Sequence, residues 1–492
     1  MHRRVVVRAA AALAISAVAA CGSGQDPTLP EAAVTTTTAE TTTTTDPPTT
    51  TASTAPPDTT PTLPPPAAGT CPAPPARAQP DPDRPVHEVV ATVDVPGGVV
   101  DGTLTTRFTP DRPPDVMVFR LWPNGPRPAG HLSVGPVVDA GTGAPLTANQ
   151  PDPTTLEVAV PHLEPGASIA VRIPFQLVLS GSASDRISHS GDTLRLGSFV
   201  PMLAWEPGVG WAREPATAAF AEAATSPTAD WTVRLDVTPG YDVLASGRRQ
   251  PDGTWRATAH RDFAASVGHF TFAQATEPLP GAPAPVEVTV GVDTAVGEDP
   301  NVYLGRVLES LRDFTNRFGP YAWDTFTLAI TPGLEGGIEF PGHVMQGPDT
   351  AGRTTPHEVA HQWFYGLVGD DQGRDPWLDE GLASYAEFRH ENAMADARAR
   401  DIPADAEGRA AAPMSYWEAH QRSYYRGVYV QGSNAVASLG DGVAGGLDLV
   451  DCALRLYVAV GAYGIATPED LEAALAVVFP DARARMSPYT GR

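Results

Sequence analysis

The 492-residue chain reads as a multidomain α+β protein: an N-terminal antiparallel β domain, then an α+β domain with strands first and helices later. Three observations carry this reading. Between Val86 and Pro280, short alternating apolar runs are punctuated by Pro, Gly and Asp. After Pro285 the apolar spacing turns helical. Ahead of both lies a long Thr/Pro-rich stretch with almost no large apolar residue.

The first 21 residues predict an export signal. His2, Arg3, Arg4 and Arg8 are positive, Ala9 to Ala17 is a short apolar stretch, and Val18-Ala19-Ala20-Cys21 resembles a lipobox whose cysteine becomes the lipidated first residue. The run is too short to span a bilayer, so membrane attachment is expected through lipid on Cys21 alone. The competing reading is an ordinary secretory signal with an incidental cysteine. Residues 22–84 are expected to be a disordered stalk, because Thr35–Thr38, Thr41–Thr45 and the many prolines bury too little apolar area to offset chain entropy. This arrangement implies a protein exported and held at the outer side of a membrane.

The β domain is expected over 85–280. Val89, Ala91, Val93 and Val95 alternate before Pro96-Gly97-Gly98, and Leu156–Val160, Ile169–Leu179, Trp231–Val237 and Phe270–Phe272 continue the pattern. The second domain is expected over 281–492. Val286–Val292 and Phe326–Ile330 read as strands; Tyr303, Leu304, Val307, Leu308, Leu311, Phe314 and Phe318 read as the buried face of a helix between them.

Net charge is −24 and every basic residue other than histidine is arginine, a balance that argues against nucleic-acid partners and against docking on anionic lipid. Beyond Cys21 the cysteines are Cys71 and Cys452, a pair able to form a disulfide in an exported protein.

Chemistry concentrates in His357-Glu358-Val359-Ala360-His361, with Glu380 after an eighteen-residue gap. Residues four apart share a helix face, so the two imidazoles can meet at one point. Two neutral imidazoles and one carboxylate suit a single Zn²⁺ per chain with a fourth position for water, and Glu358 stands beside it as general base. Thr355-Pro356-His357-Glu358 also spells a capping box, in which Glu358 would only cap a backbone amide. Asp375-Pro376 starts the helix that carries Glu380, and Gly366–Arg374 is the reversal between. Phe364 and Leu367 replace the glycine and histidine that a three-histidine site needs. Asp379 and Glu387 are rival carboxylates, read as outer partners or solvated residues.

These residues resemble the aminopeptidase N family of gluzincin metallopeptidases. Besides H-E-x-x-H-x18-E, the family has an upstream Gly-x-Met-Glu-Asn strand, and here Gly336-Gly337-Ile338-Glu339-Phe340 occupies that place. The resemblance implies a thermolysin-like catalytic domain, substrate backbone lying along Gly336 and Gly337, and Glu339 binding the free α-amino group of a peptide. Ile338 and Phe340 depart from the family's Met and Asn, and Glu335 is a second candidate anchor. The family's oxyanion-stabilising tyrosine corresponds to Tyr429 in Tyr429-Val430-Gln431-Gly432, with Gln431 in place of lysine. Arg261-Asp262-Phe263-Ala264 resembles the end of the family's β domain, and 197–211 is a candidate contribution of that domain to the side-chain pocket. The family's long helical C-terminal domain has no counterpart before Arg492, which implies an unroofed site.

The expectation is therefore a zinc aminopeptidase acting on peptide substrates. The alternatives are a zinc endopeptidase or other zinc hydrolase of the same family, and a non-catalytic surface lipoprotein.

Overall fold

A computed structural model describes residues 61–492 apart from 129, 215 and 219–224. The signal segment, Cys21 and most of the stalk lie outside the described residues. No helix among the described residues is long and apolar enough to cross a membrane.

The β half starts with Val86–Asp94, whose strict in–out burial follows the alternation in its sequence. This strand pairs antiparallel with Val99–Phe108, which pairs with Ile169–Leu179. On its other side it pairs with Ala229–Val237 in parallel, so the large sheet is mixed rather than wholly antiparallel. Smaller sheets built on Val116–Arg120 and on Thr193–Leu196 close over the same core.

The expected boundary at 280 falls inside a sheet. Phe270–Glu277 hydrogen-bonds along its whole length to Val286–Asp293, making it the first strand of the second domain. That five-stranded sheet runs Phe270–Glu277, Val286–Asp293, Thr325–Ile330, His343–Gln346 and Gly337–Phe340, leaving Gly337–Phe340 on the edge. Helix α1 (Pro300–Phe318) begins at Asp299, whose side chain accepts from the Asn301 amide, with proline in the first turn. It buries Tyr303, Val307, Leu311, Phe314 and Phe318 against this domain's core. Each such side chain contributes about 1.5–3 kcal/mol, and Leu311→Ala would cost about 2–5 kcal/mol. Helices α2 (Thr354–Ala360) and α3 (Glu380–His390) follow, then α4 (Gln431–Ala437), α5 (Gly446–Gly461) and α6 (Pro468–Val478).

Residues 61–84, assigned to the stalk from composition, belong in part to this folded body. The amides of Ala67 and Gly69 donate to the carbonyls of Val477 and Val478, and the Ala78 amide donates to Ala459. Arg77 Nη1 donates to the Pro320 carbonyl, and Cys71 is disulfide-bonded to Cys452 on α5, Cα to Cα 5.8 Å. Side-chain composition did not reveal this: besides backbone amides and one covalent bond, only scattered side chains hold the segment, Leu63 and Ala78 against the core and Arg77 and Arg84 on partners distant in sequence.

Candidate active site

Helix α2 buries all of Thr355 to Ala360, and no side chain caps its start. The capping-box reading therefore fails: Glu358 turns inward and is buried. His357 Nε2 lies 3.1 Å and His361 Nε2 3.5 Å from the same oxygen, Glu380 Oε2. The imidazole rings stand 4.7 Å apart and nearly perpendicular. Glu380 arrives as the sequence implies: its amide donates to the Pro376 carbonyl, so the helical turn begins at the proline and α3 carries the carboxylate beneath α2.

The outer partners differ. His361 Nδ1 is hydrogen-bonded to Asp379, which also accepts from Gln372 Nε2. His357 Nδ1 faces Glu387 Oε2 at 3.4 Å. Asp379 and Glu387 are thus both outer partners of the imidazoles, and Gln372 is a contributor the sequence reading missed. Such carboxylates fix the tautomer and raise the basicity of a ligating imidazole. His357, His361 and Glu380 offer ligand atoms within 4.8 Å of one another. Two imidazoles, one carboxylate and backed outer nitrogens fit a tetrahedral zinc ion. Burial would raise the Glu380 carboxyl, but hydrogen bonds from both histidines outweigh it and hold it well below the usual range.

Across the cleft runs the edge strand Gly337–Phe340. A β-carbon on Gly337 would meet Glu358 Oε1 at 2.5 Å, so glycine is what lets Glu358 approach the strand. Gly336 sits at φ 80°, in the left-handed region. Glu339 is 5% exposed and its Oε1 has no hydrogen-bond partner; Glu358 Oε2 is likewise buried without one. Burial pushes the Glu339 carboxyl up to about 7 and the Glu358 carboxyl up to about 8, against the pull of the nearby imidazoles. Glu335 is exposed at the cleft's edge, its amide donating to Ser184 Oγ of the β half. Buried Arg195, also from the β half, donates to the Pro332 carbonyl at 2.8 Å and to Thr331 Oγ1 at 3.2 Å, bracing the turn ahead of the edge strand.

Tyr429 comes from Tyr425–Val430, a π-helical stretch. Its hydroxyl donates to Glu380 Oε1 at 2.6 Å and its ring stacks on His357, centroids 5.6 Å apart. The approach depends on two glycines: a β-carbon on Gly432 would lie 3.0 Å from the Gly381 Cα. Gln431, where the resemblance wants lysine, donates to the Ala406 carbonyl and accepts from the Gly408 amide, tying down a loop instead.

A cleft of about 420 Å³ is lined by His357, Glu358, His361, Glu380 and Glu387 from the two helices, by Glu335, Gly336, Gly337 and Glu339 along the edge strand, and by Arg353, Thr354, Tyr424, Tyr425 and Tyr429. Among the described residues, none from 197–211 lines it. Gly197 sits behind the edge strand, where a β-carbon would collide with the Phe340 ring.

Residues 348–479 match the peptidase family M1 domain. Mouse aminopeptidase B is 32% identical over 95 residues, which are 18% of this chain and 15% of that protein. Rat aminopeptidase N is 62% identical over 32 residues, 6% of this chain and 3% of that one. The chain therefore matches only a small part of these relatives' length. In fold it is similar to an M1 zinc metallopeptidase from Deinococcus radiodurans, with TM-score 0.59 and 20% identity over 85% of this chain and 95% of that one. A mutant of the same Deinococcus metallopeptidase bound to a Tyr-Ser-Ala substrate superposes with TM-score 0.59 and 20% identity, covering 83% and 94%.

Proposed function

From the match of residues 348–479 to the peptidase family M1 domain, we propose that the chain is a zinc aminopeptidase releasing N-terminal residues from peptides. The observation that carries the proposal is Glu339: a buried carboxylate with an unpartnered oxygen, in the same cleft as the two imidazoles and Glu380. An unpaired buried carboxylate is costly, and a peptide's α-ammonium entering the cleft would satisfy it with a charge-assisted hydrogen bond.

His357, His361 and Glu380 would hold the zinc, which when bound supplies a polarised carbonyl and a water acidic enough to attack it. Glu358, buried and lining the cleft, takes the proton from the attacking water and hands it to the departing amine. Tyr429 turns its hydroxyl from Glu380 toward the developing oxyanion. Gly336 and Gly337 leave room for the substrate backbone beside Glu358. Asp379 and Glu387 hold the imidazoles in register.

The same reading extends to location: the protein is exported and tethered through lipid on Cys21, with the folded body beyond the Thr/Pro-rich segment. Support for this is the sequence pattern of the first 21 residues; metabolic labelling with a fatty-acid analogue, lost in Cys21→Ser, is its test.

The test of the activity is a panel of aminoacyl fluorogenic amides with free and acetylated amines, with and without a zinc chelator. Chelator-sensitive hydrolysis of the free amines alone is expected. Equal hydrolysis of the acetylated set would make the protein an endopeptidase and remove Glu339 from its role. Glu358→Ala is expected to keep the metal and lower turnover by orders of magnitude.

A further inference from the structure

Among the described residues lining the cleft there is one arginine, Arg353, just ahead of α2. Its side chain is 40% exposed, its one ionic partner among the described residues is Glu387 at 3.7 Å, and its guanidinium rests over the Phe388 ring at 5.4 Å. It makes no hydrogen bond of good geometry among the described residues, so a planar fork of donors faces the cleft nearly uncommitted.

Its place along the cleft is informative. Glu339 and His361 offer side-chain atoms within 4.8 Å of one another. Arg353 reaches the centre from the other side, through Glu387 and then His357 Nδ1. The charged groups thus run in order: Glu339, His361, His357, Glu387, Arg353. Glu380 meets the middle of this line. A peptide whose ammonium sits at Glu339 and whose first carbonyl sits at the centre must send its leaving portion toward Arg353. One or two extended residues cover about 3.5–7 Å, and Arg353 is separated from His357 by the single carboxylate of Glu387, at 3.7 Å from one and 3.4 Å from the other.

Resting on the aminopeptidase reading, we propose that Arg353 binds a carboxylate on the leaving side of the scissile bond and so selects among peptides. That carboxylate has two sources, the C-terminus of a di- or tripeptide and an acidic side chain on the residue after the cut. Guanidinium and carboxylate form paired charge-assisted hydrogen bonds, whereas a neutral amide offers one weaker acceptor. Glu387, already turned toward His357, would give up its loose contact with Arg353 when the ligand arrives.

The experiment uses the full zinc-loaded chain with Glu358→Ala, so that peptides bind uncut, read by titration calorimetry. The probes are alanyl-alanine, its C-terminal amide, alanyl-aspartate amide and N-acetylated alanyl-alanine, with zinc content measured on every variant. Alanyl-alanine and alanyl-aspartate amide are expected to bind about tenfold more tightly than alanyl-alanine amide. Adding Arg353→Ala should collapse that ratio to about one, and Arg353→Lys should restore part of it, since lysine keeps the charge without the fork. Tight binding of one acidic probe alone assigns the source of the carboxylate. Equal binding of acid and amide by the parent, or a ratio that survives Arg353→Ala, overturns the proposal. So does loss of zinc from Arg353→Ala, which would make the residue a support for Glu387. If the acetylated peptide binds as well as the free one, the amine-anchor reading fails while the acid-to-amide ratio still reports on Arg353.

Discussion

The two imidazoles at the centre of this protein stand in unlike surroundings. His361 is 1% exposed and its outer nitrogen is locked to Asp379, itself held by Gln372. His357 is 8% exposed, its outer nitrogen makes only a 3.4 Å contact with Glu387, and Glu387 shares itself with a half-exposed arginine. One side is a closed chain of buried hydrogen bonds; the other opens toward solvent. The contrast teaches that a pair symmetric in sequence can be divided by its outer partners into a fixed support and an adjustable one.

The comparison can be broken at the point both sides share. Glu380→Gln removes the carboxylate that faces both imidazoles, and should lower zinc affinity beyond the about 10–100-fold typical of losing an outer partner. Metal analysis after dialysis against a graded chelator reads this. Tyr429→Phe deletes the hydroxyl without touching either imidazole's outer contact. It should lower kcat by about 100–1,000-fold with zinc retained, and steady-state kinetics on an aminoacyl amide measures it. Next come the two sides themselves. Asp379→Asn should weaken zinc by about 10–100-fold and Glu387→Gln by distinctly less, because only the former breaks a fully buried hydrogen bond. Equal losses would erase the distinction drawn here.

The smallest effect comes from a buried carboxylate that no imidazole faces. Asp262 accepts from Ser198 Oγ and the Phe263 amide, both at 2.6 Å. Burial outweighs these bonds and pushes its carboxyl up to about 7, from an ordinary value of 3.8. The folded protein therefore holds this proton more tightly than the unfolded chain does. The side chain's favourable contribution is complete below the ordinary value and is lost as pH rises through about 7. Asp262→Asn should accordingly gain stability over the parent as pH climbs through that window, by the order of 2 kcal/mol above it. Urea midpoints at pH 5 and pH 8 decide it: equal gains at the two would mean no linkage, and a larger gain at pH 5 linkage of the wrong sign.

Much of this site was readable in the chain because it rests on short-range geometry. Four-residue helical spacing brings His357 and His361 together, and a proline-started helix brings Glu380. The strand Ile169–Leu179 was equally plain, since strict alternation has one structural solution when one face is buried. What escaped depends on distant parts meeting. The role of Gln372 requires the reversal to fold back on Asp379. The Gly381–Gly432 approach is visible only once α3 and α4 touch. The boundary at 280 failed because a hairpin joins Phe270–Glu277 to the strand after it, and composition does not record register. The segment at 61–84 was misassigned in part because its attachment combines backbone amides, Cys71 and a few isolated side chains such as Leu63 and Arg77, with no periodic apolar pattern to read.

The bond between Cys71 and Cys452 closes a ring across 381 positions of sequence, taking in the whole β half and every residue of the cleft. A single nick by a neighbouring protease anywhere inside that ring leaves the two pieces covalently joined. Clipped molecules would run as intact on a gel until a reducing agent is added, and a tether ahead of Cys71 would keep hold of both fragments.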